Sequence, residues 1–167
     1  TMNGEEHILS LLVQNKPGVL SRVSGIFGRL GYNIESLCVA PTLDPDTSRI
    51  TLMSRANSNF TDKVRKQLDR LVDVIEVEEL TPSRSLQREV ALLGLDFPQE
   101  RRADILKAME LFNGKLIFMK DDYAVFQAVG TSEETETLLQ YFRDLGIREA
   151  ARTGIIALPK EKRGGPA

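Results

Sequence analysis

The sequence predicts an α+β fold made of two consecutive βαββαβ units, each an antiparallel sheet with two helices on one face. Three observations lead to this prediction. Over the first half of the chain, strand-like alternation and helix-like spacing of apolar residues follow one another in that order. A polar break comes next, at residues 81–85. After the break, the same order of elements recurs.

The first unit is predicted over residues 5–81. Its opening strand, residues 6–13, leads through a Pro-Gly turn into a helix with one apolar face. That face consists of Val19, Leu20, Val23, Ile26, Phe27 and Leu30. Gly31 is expected to end the helix in the left-handed conformation, and Asn59, with Asp62 three residues later, is expected to cap the second helix. The other strands are predicted at residues 34–40, 49–54 and 74–80.

The second unit is predicted over residues 86–159, after a linker at residues 81–85. Pro98 is expected to start its first helix and Gly114 to stop it, and Thr131 with Glu134 predicts a capping box for its second helix. The strands are predicted at residues 90–95, 116–119, 123–129 and 155–158, with the middle two joined as a hairpin. Residues 160–167 are expected to form a frayed, flexible tail.

Each predicted unit is the ferredoxin-like arrangement, in which two helices cover one face of a four-stranded sheet and the other face stays uncovered. Each unit has only about 75 residues, a size at which the buried apolar area is marginal. We therefore expect at least a homodimer, formed through sheet edges or sheet faces.

The composition is that of a folded globular protein and argues against several functions. The 167 residues are 41% apolar and 28% charged, and the net charge of −2 offers no basic face for nucleic acid. No apolar run approaches the roughly 18 residues of a membrane-spanning helix. No charged-then-apolar leader is visible. The single cysteine excludes an intrachain disulfide and fits a reducing compartment, so we expect a cytoplasmic protein.

No constellation of side chains predicts catalysis or metal binding. His7 is the only histidine and is interpreted as a surface or edge residue, and Cys38 is interpreted as a buried, inert thiol. No glycine pattern matches a dinucleotide-binding or P-loop motif. Acidic pairs at positions 44/46 and 121/122 lie in predicted hairpin turns, where acidic residues are common. We therefore expect no catalytic residue, no metal and no cofactor in this chain.

The most informative segment is the strand–turn–helix unit around Asn15-Lys16-Pro17-Gly18. Gly18 lets a ligand approach the backbone, and the helix N-terminus adds positive potential for a carboxylate. The same residues also suit an ordinary helix start, but Asn33, an isolated amide that opens a strand, favours ligand binding. Leu20, Ile34 and Val39 are expected to supply an apolar wall. The predicted amino-acid site consists of Asn15, Pro17, Gly18, Val19, Leu20, Asn33, Ile34 and Val39.

Two strings, Asn15-Lys16-Pro17-Gly18 and Gly31-Tyr32-Asn33-Ile34-Glu35-Ser36-Leu37, resemble the ACT domain of the regulatory small subunit of acetolactate synthase. The resemblance spans residues 7–55 and extends through 66–74, 88–89 and 151–154, so it covers nearly the whole chain. It implies that residues 5–81 are an ACT domain and residues 86–159 a C-terminal ferredoxin-like domain. Cys38 departs from the family, which often has threonine there.

The resemblance also implies a non-catalytic protein. In this family the catalytic subunit carries thiamine diphosphate, FAD and magnesium, and it condenses pyruvate with pyruvate or 2-oxobutyrate at the start of valine, leucine and isoleucine synthesis. The small subunit raises that activity and confers feedback inhibition, usually by valine held between two ACT domains. The family's binding positions fall on Asn15 and Gly18 of one subunit and on Asn33 of its neighbour.

Two other classes of function stay open at this point. A stand-alone ACT-domain amino-acid sensor that regulates another protein would act on transcription or transport, but the sequence predicts neither a DNA-binding helix nor a membrane segment. An RNA binder on the same plan normally uses exposed aromatic residues on the central strands, and predicted strands 7–13 and 49–54 contain no Phe, Tyr or Trp. An enzyme on this plan would need a catalytic pair that the sequence does not offer.

Overall fold

The computed structural model describes residues 4–163. The chain forms two compact units. The first unit combines the N-terminal part, through Leu86, with the C-terminal segment from Ile155, and the second unit runs from Gln87 to Gly154. Each contains a sheet of antiparallel strands with helices, so the predicted α+β class of two ferredoxin-like units is confirmed. No helix within residues 4–163 is long and apolar enough to cross a membrane.

The first unit follows the predicted order of elements. They are β1 (Glu5–Gln14), α1 (Val19–Leu30), β2 (Ser36–Pro41), β3 (Thr47–Ala56), α2 (Phe60–Leu68) and β4 (Val74–Glu79). The strands pair in the order β2-β3-β1-β4, and every pairing is antiparallel. β1 and β3 are therefore central, while β2 and β4 are the edge strands.

The core of the first unit lies between this sheet and its two helices. Leu9 lies opposite Leu52 and Leu11 opposite Ile50, and all four side chains are at most 1% exposed. The helices complete this core with Val19, Val23, Ile26 and Phe27 from α1 and Phe60, Val64 and Leu68 from α2. Burying each such side chain stabilises the fold by about 1.5–3 kcal/mol. Four of the six residues of the apolar stripe predicted for α1 therefore face the sheet, whereas Leu20 is exposed and Leu30 is only partly buried.

The two helices of this unit differ in how they begin and end. Gly31 ends α1 with φ of 78°, as predicted, and its N–H donates to the carbonyl of Gly28. The predicted side-chain cap of α2 by Asn59 is wrong. Asn59 has helical dihedral angles (φ −83°, ψ −4°) rather than the extended ones of a capping residue, and its N–H instead donates to Oδ1 of Asn57.

The second unit contains the remaining helices. The elements along this part of the chain are β5 (Ser85–Asp96), α3 (Arg102–Leu111), β6 (Lys115–Lys120), β7 (Tyr123–Gly130), α4 (Ser132–Arg143) and β8 (Ile147–Arg152). Short 3-10 helices at Pro82–Arg84 and Gln99–Arg101 precede β5 and α3. The predicted linker at residues 81–85 is therefore structured, and the helix expected to start at Pro98 begins as a 3-10 turn. The strand order is β6-β7-β5-β8.

The strand predicted at residues 155–158 exists as β9 (Ile156–Pro159) and pairs with β5, but it lies outside the order β6-β7-β5-β8. The fourth strand of that order is β8, which was not predicted; in it Arg152 lies opposite Ala91 and Ile147 opposite Leu95. β8 is an edge strand in which no residue is buried. It therefore lacks the alternation of buried apolar residues that marks a strand in a sequence.

The C-terminal segment returns to the first unit. Ile155 and strand β9 (Ile156–Pro159) belong to that unit, where Ile155 and Ala157 form a cluster with Ile8, Met53 and Leu80. The N–H of Ile155 donates to Oγ of Ser36 at 2.8 Å. Ile8 and Met53 lie on the face of the first sheet that points away from the helices. That face was expected to stay uncovered, and this expectation is wrong for the part that the C-terminal segment covers.

The described part of the predicted tail is also attached to the first unit. The N–H of Lys160 donates to the carbonyl of Arg84 at 2.8 Å, and the guanidinium of Arg163 forms an ion pair with Glu78. Residues 164–167 lie outside the described residues.

The core of the second unit repeats the plan of the first. Its members are Ala91, Leu93, Leu95 and Phe97 of the β5 region, Ile105, Ala108 and Met109 of α3, Ala124, Phe126 and Ala128 of β7, and Leu138 and Phe142 of α4. The predicted capping box is confirmed. The N–H of Glu134 donates to Oγ1 of Thr131 at 3.2 Å, and the N–H of Thr131 donates to Oε2 of Glu134 at 3.0 Å.

Candidate functional site

The turn between β1 and α1 is anchored to the β2–β3 hairpin. The backbone N–H of Asn15 donates to the carbonyl of Asp46 at 2.8 Å, and its side-chain Nδ2 donates to the carbonyl of Pro45 at 3.0 Å. These two bonds orient the Asn15 amide, and its Oδ1 is left as an acceptor for a donor group from outside the turn. Asn15 therefore has a structural role here as well as the predicted binding role.

Gly18 gives the start of α1 its shape. Its φ of 85° lies in the left-handed region that favours glycine, and a Cβ at this position would lie 2.9 Å from Nη1 of Arg22. Arg22 is itself held by Asp73, whose Oδ2 lies 2.5 Å from its Nη2. This ion pair could not be predicted from the sequence, because its members lie far apart in the chain and neither stands in a recognisable motif.

The first turn of α1 is electrostatically suited to a carboxylate. The leading N–H groups of a helix have no acceptor within the helix, and they concentrate the positive end of its dipole. The first turn of α1 contains no acidic side chain. Pro17, Gly18 and Leu20 are exposed around it, so a ligand can reach the backbone there.

Asn33 lies at the opposite end of the same helix. It is exposed, and its backbone carbonyl accepts a hydrogen bond from Oγ of Ser54 at 2.6 Å, whereas Asn15 contacts Asp46. The 12 residues of α1 span about 18 Å, and Asp46 and Ser54 lie about 25 Å apart along extended β3. One protomer therefore cannot bring Asn15 and Asn33 to the same small ligand.

The apolar residues of the predicted site divide into two groups. Leu20 and Val39 are 41% and 42% exposed, and Ile34 is half-buried against the first core. Val39 lies opposite Ile50 on the edge strand β2. Val19 is only 3% exposed because its side chain belongs to the core. Its side chain is not available to a ligand, and only its backbone can contribute.

His7 and Cys38 differ from their expected environments. His7 is 6% exposed, because it lies on central strand β1 on the same face as Leu9. Its Nδ1 lies 2.7 Å from Oε1 of Glu79, and its ring contacts that of Phe60 at a centroid distance of 4.9 Å. The interpretation of His7 as a surface or edge residue is therefore wrong. Cys38 is a free, half-buried thiol on β2, opposite Thr51, and not a fully buried one.

The described residues contain no group of three or more His, Cys, Asp or Glu side chains arranged to hold a metal ion. The site consists of amide groups, a helix start and apolar side chains. Such a set can bind a small zwitterion, because the helix start suits a carboxylate and an amide oxygen suits an ammonium.

Comparison with known proteins matches both halves of the chain to one family. Residues 9–76 match the model of the acetohydroxyacid synthase (AHAS) small subunit-like ACT domain, and residues 88–161 match the model of the small subunit of acetolactate synthase.

Similar proteins extend over nearly the whole chain. The probable acetolactate synthase small subunit of Methanothermobacter thermautotrophicus is 36% identical over 97% of this chain and 97% of its own length. The acetolactate synthase isozyme 3 small subunit of Escherichia coli is 38% identical over 92% of this chain and 94% of its own. The crystal structure of the acetolactate synthase small subunit from Thermotoga maritima superposes with a TM-score of 0.88 at 32% identity, covering 95% of this chain and 99% of that one.

Proposed function

The chain belongs to the family of acetolactate synthase small subunits, and from that premise we propose that it is the regulatory subunit of acetolactate synthase in branched-chain amino-acid biosynthesis. It activates the catalytic subunit and makes that subunit sensitive to feedback inhibition by valine. The condensation itself belongs to the catalytic partner, with thiamine diphosphate, magnesium and FAD bound there.

One observation carries the proposal for the valine site. Asn15 and Asn33 lie at opposite ends of α1, about 18 Å apart. A symmetric dimer that brings the α1 start of one copy to the α1 end of the other places both amides on the same ligand, twice per dimer. The exposed edge strand β2 offers a surface for such pairing. We propose that the site forms only in a homodimer.

The ligand contacts follow from the geometry of the α1 start. The valine carboxylate accepts hydrogen bonds from the backbone N–H groups after Gly18, and its ammonium donates to Oδ1 of Asn15 and to the Asn33 amide of the second copy. Its isopropyl group packs against Leu20, Ile34 and Val39. A ligand of this size binds with a dissociation constant of roughly micromolar to sub-millimolar.

A ligand that bridges two copies regulates by favouring one dimer geometry. It shifts activity only to the extent that it binds one state of the complex more tightly than the other. Because valine would contact both copies, it would stabilise the relative orientation in which both half-sites are aligned. The catalytic subunit would sense that orientation.

Mixed dimers test the shared site directly. We expect Asn15→Ala and Asn33→Ala each to abolish valine binding in calorimetry, because each homodimer then has only defective sites. Mixing and refolding the two variants together should restore binding, since a mixed dimer has one intact site and one doubly defective site. Asn59→Ala, which removes an exposed asparagine at the start of α2, is the matched control and should bind as the unaltered chain does.

Two results would contradict parts of the proposal. If the mixture binds no better than either variant alone, the two asparagines do not share a ligand across subunits. If the chain binds valine but changes neither the rate nor the valine sensitivity of the catalytic subunit, the protein is a stand-alone amino-acid sensor. In the expected case, Asn15→Ala still activates the catalytic subunit while inhibition by valine is lost.

A further inference from the structure

We propose that the second unit contains a separate binding site for a small aliphatic ammonium compound. The site is a cavity of about 340 Å³ between the end of α3, the end of β7 and the start of α4. This volume lies in the lower part of the range of small-molecule sites. All the residues that line it lie between Leu111 and Leu138, so it shares none with the predicted amino-acid site.

The inner wall of the cavity is apolar. Leu138 is 1% exposed and belongs to the core of the second unit, while Val129 is half-exposed at the end of β7. Phe112, which also lines the cavity, packs against the rings of Tyr141 and Phe142 at centroid distances of 5.6 and 6.1 Å. This wall suits the branched or linear hydrocarbon part of a ligand with a few carbon atoms.

A hydroxyl group lines this wall without a hydrogen-bond partner in the described residues. Thr135 lines the cavity and is only 2% exposed, and its hydroxyl forms no hydrogen bond within the described residues. The hydroxyl oxygen is not among the fully buried atoms that lack a partner in the described residues, so it keeps some access to the cavity that Thr135 lines. The hydroxyl oxygen of Thr135 is therefore an acceptor available to a ligand donor.

The charge of the lining selects a cation. The cavity is lined by Glu133 and Glu134 and by no lysine, arginine or histidine. Oε2 of Glu134 is committed to the capping box with Thr131, but the Glu133 carboxylate forms no ion pair within residues 4–163. Although a helix start favours anions, these carboxylates offset that preference.

Asn113 adds a further acceptor at the rim. It takes up a left-handed conformation (φ 54°) after α3, which asparagine tolerates better than most residues. Together, the Glu133 carboxylate, the Asn113 amide oxygen and the Thr135 hydroxyl provide three acceptors for the three N–H bonds of a primary ammonium. A free carboxylate on the ligand would be repelled by Glu133 and Glu134, so the site favours an amine over an amino acid.

Isobutylammonium is the probe for this site, because it is valine without the carboxylate. We expect it to shift the backbone amide resonances of Asn113, Gly114, Glu133 and Thr135 in the full chain, whereas valine shifts resonances of the first unit. Glu133→Gln should weaken isobutylammonium binding by about tenfold or more, as loss of a charge-assisted hydrogen bond predicts. Glu110→Gln removes the same charge from an exposed position on α3 outside the cavity and should change binding by less than about twofold.

Three results would overturn the proposal. The first is the absence of saturable shifts in the second unit with isobutylammonium. The second is equal binding of isobutanol, which has the same hydrocarbon part but no charge. The third is stronger shifts by valine than by isobutylammonium at these four amides. Thr135→Val, which keeps the buried volume and removes the hydroxyl, should also weaken binding of the amine while leaving the unfolding temperature close to that of the unaltered chain.

Discussion

Gly18 and Gly28 belong to the same helical segment and have opposite conformational requirements. Gly18 precedes α1 with a left-handed φ of 85°, and a Cβ there would approach Arg22. Gly28 lies inside α1, where a Cβ would meet no atom within 4 Å. The backbone conformation at Gly18 requires glycine. At Gly28 no conformation requires it, and glycine only increases the conformational entropy of the unfolded chain.

Alanine at these two positions should therefore change stability in opposite directions. We expect Gly18→Ala to lower the free energy of unfolding by about 1–2 kcal/mol, because a residue with a Cβ is strained at this φ. Gly28→Ala should raise it by roughly 0.5–1 kcal/mol, because alanine favours the helix. Urea unfolding monitored by circular dichroism measures both. A stabilising Gly18→Ala would show that the left-handed conformation is not required.

At the scale of single residues, local chemistry allowed part of the candidate site to be predicted. The Pro-Gly turn and the helix-ending Gly31 have signatures within a few residues, and both lie where expected. Val19 was predicted as a binding residue, but its side chain lies in the core, because the helical spacing of the apolar residues places it on the buried face of α1. His7 was also predicted wrongly, as a surface or edge residue. Its position two residues before Leu9 indicates the buried face of β1, but a lone histidine near a strand end is more often exposed.

Strand β8 shows how a single element depends on a partner distant in sequence. Glu89 of β5 is almost fully buried, and its Oε1 lies 2.6 Å from Nη2 of Arg152 on β8, which also contacts Glu136. Burial lowers the pKa of Arg152, but the hydrogen bonds and charges of Glu89 and Glu136 outweigh burial, so that its pKa is raised. The guanidinium thus neutralises a carboxylate that would otherwise be buried alone.

Removal of that guanidinium should destabilise the second unit. We expect Arg152→Met to lower the free energy of unfolding by about 2–3 kcal/mol, less than for a fully buried pair because Arg152 is about one-third exposed. Combining it with Glu89→Gln should recover much of the loss, since no buried charge then remains. Thermal unfolding of the single and double variants measures both effects.

Arg148→Met is the matched control on the same strand. Arg148 pairs with Asp96 in solvent, at 2.7 Å between Nε and Oδ1, so its removal should leave the unfolding temperature nearly unchanged. Equal losses from the two arginine variants would show that β8 is stabilised by charge in general and not by the pairing of Glu89.

At the scale of elements, the order of helices and strands could be predicted wherever one face is buried. β7 and most of β5 alternate between buried and less buried residues, β1 and β3 each contain five consecutive buried residues, and the helices have apolar stripes. β8 has no buried face, so its sequence has no period to detect. The predicted cap of α2 by Asn59 was wrong for a different reason. An asparagine before a helix can adopt several local backbone conformations, and only some of them let its side chain cap the helix.

At the scale of the whole molecule, the chain leaves its first unit, builds the second and returns. Ile155 and Ala157 are 2% and 6% exposed, and they cover Ile8, Met53 and Leu80 of the first unit. The sequence could not reveal this return, because the apolar run at residues 155–158 is equally suitable as a strand of either unit. Local pattern predicts that a strand exists, but only packing determines its partner.

Truncation tests the contribution of this returning segment. We expect a chain stopped after Gly154 to lose several kcal/mol of stability in its first unit, because burial of Ile155 and Ala157 is lost and Ile8 and Met53 become exposed. Hydrogen exchange resolved by residue should show faster exchange in β1 and β3, and in β5 where it pairs with β9, but unchanged exchange in β7. A chain stopped after Arg163 is the control and should match the full chain. Uniform loss of protection in both units would mean that the units do not fold separately.

The return of the chain sets an order of events during synthesis on the ribosome. The second unit needs only residues that are translated before Ile155, so it can close as soon as they leave the exit tunnel. The first unit, although translated earlier, keeps Ile8 and Met53 open to solvent until Ile155 and Ala157 emerge. The half of the molecule that is made first is therefore the half that is finished last, and nascent chains interrupted before this segment expose an apolar patch that chaperones can bind.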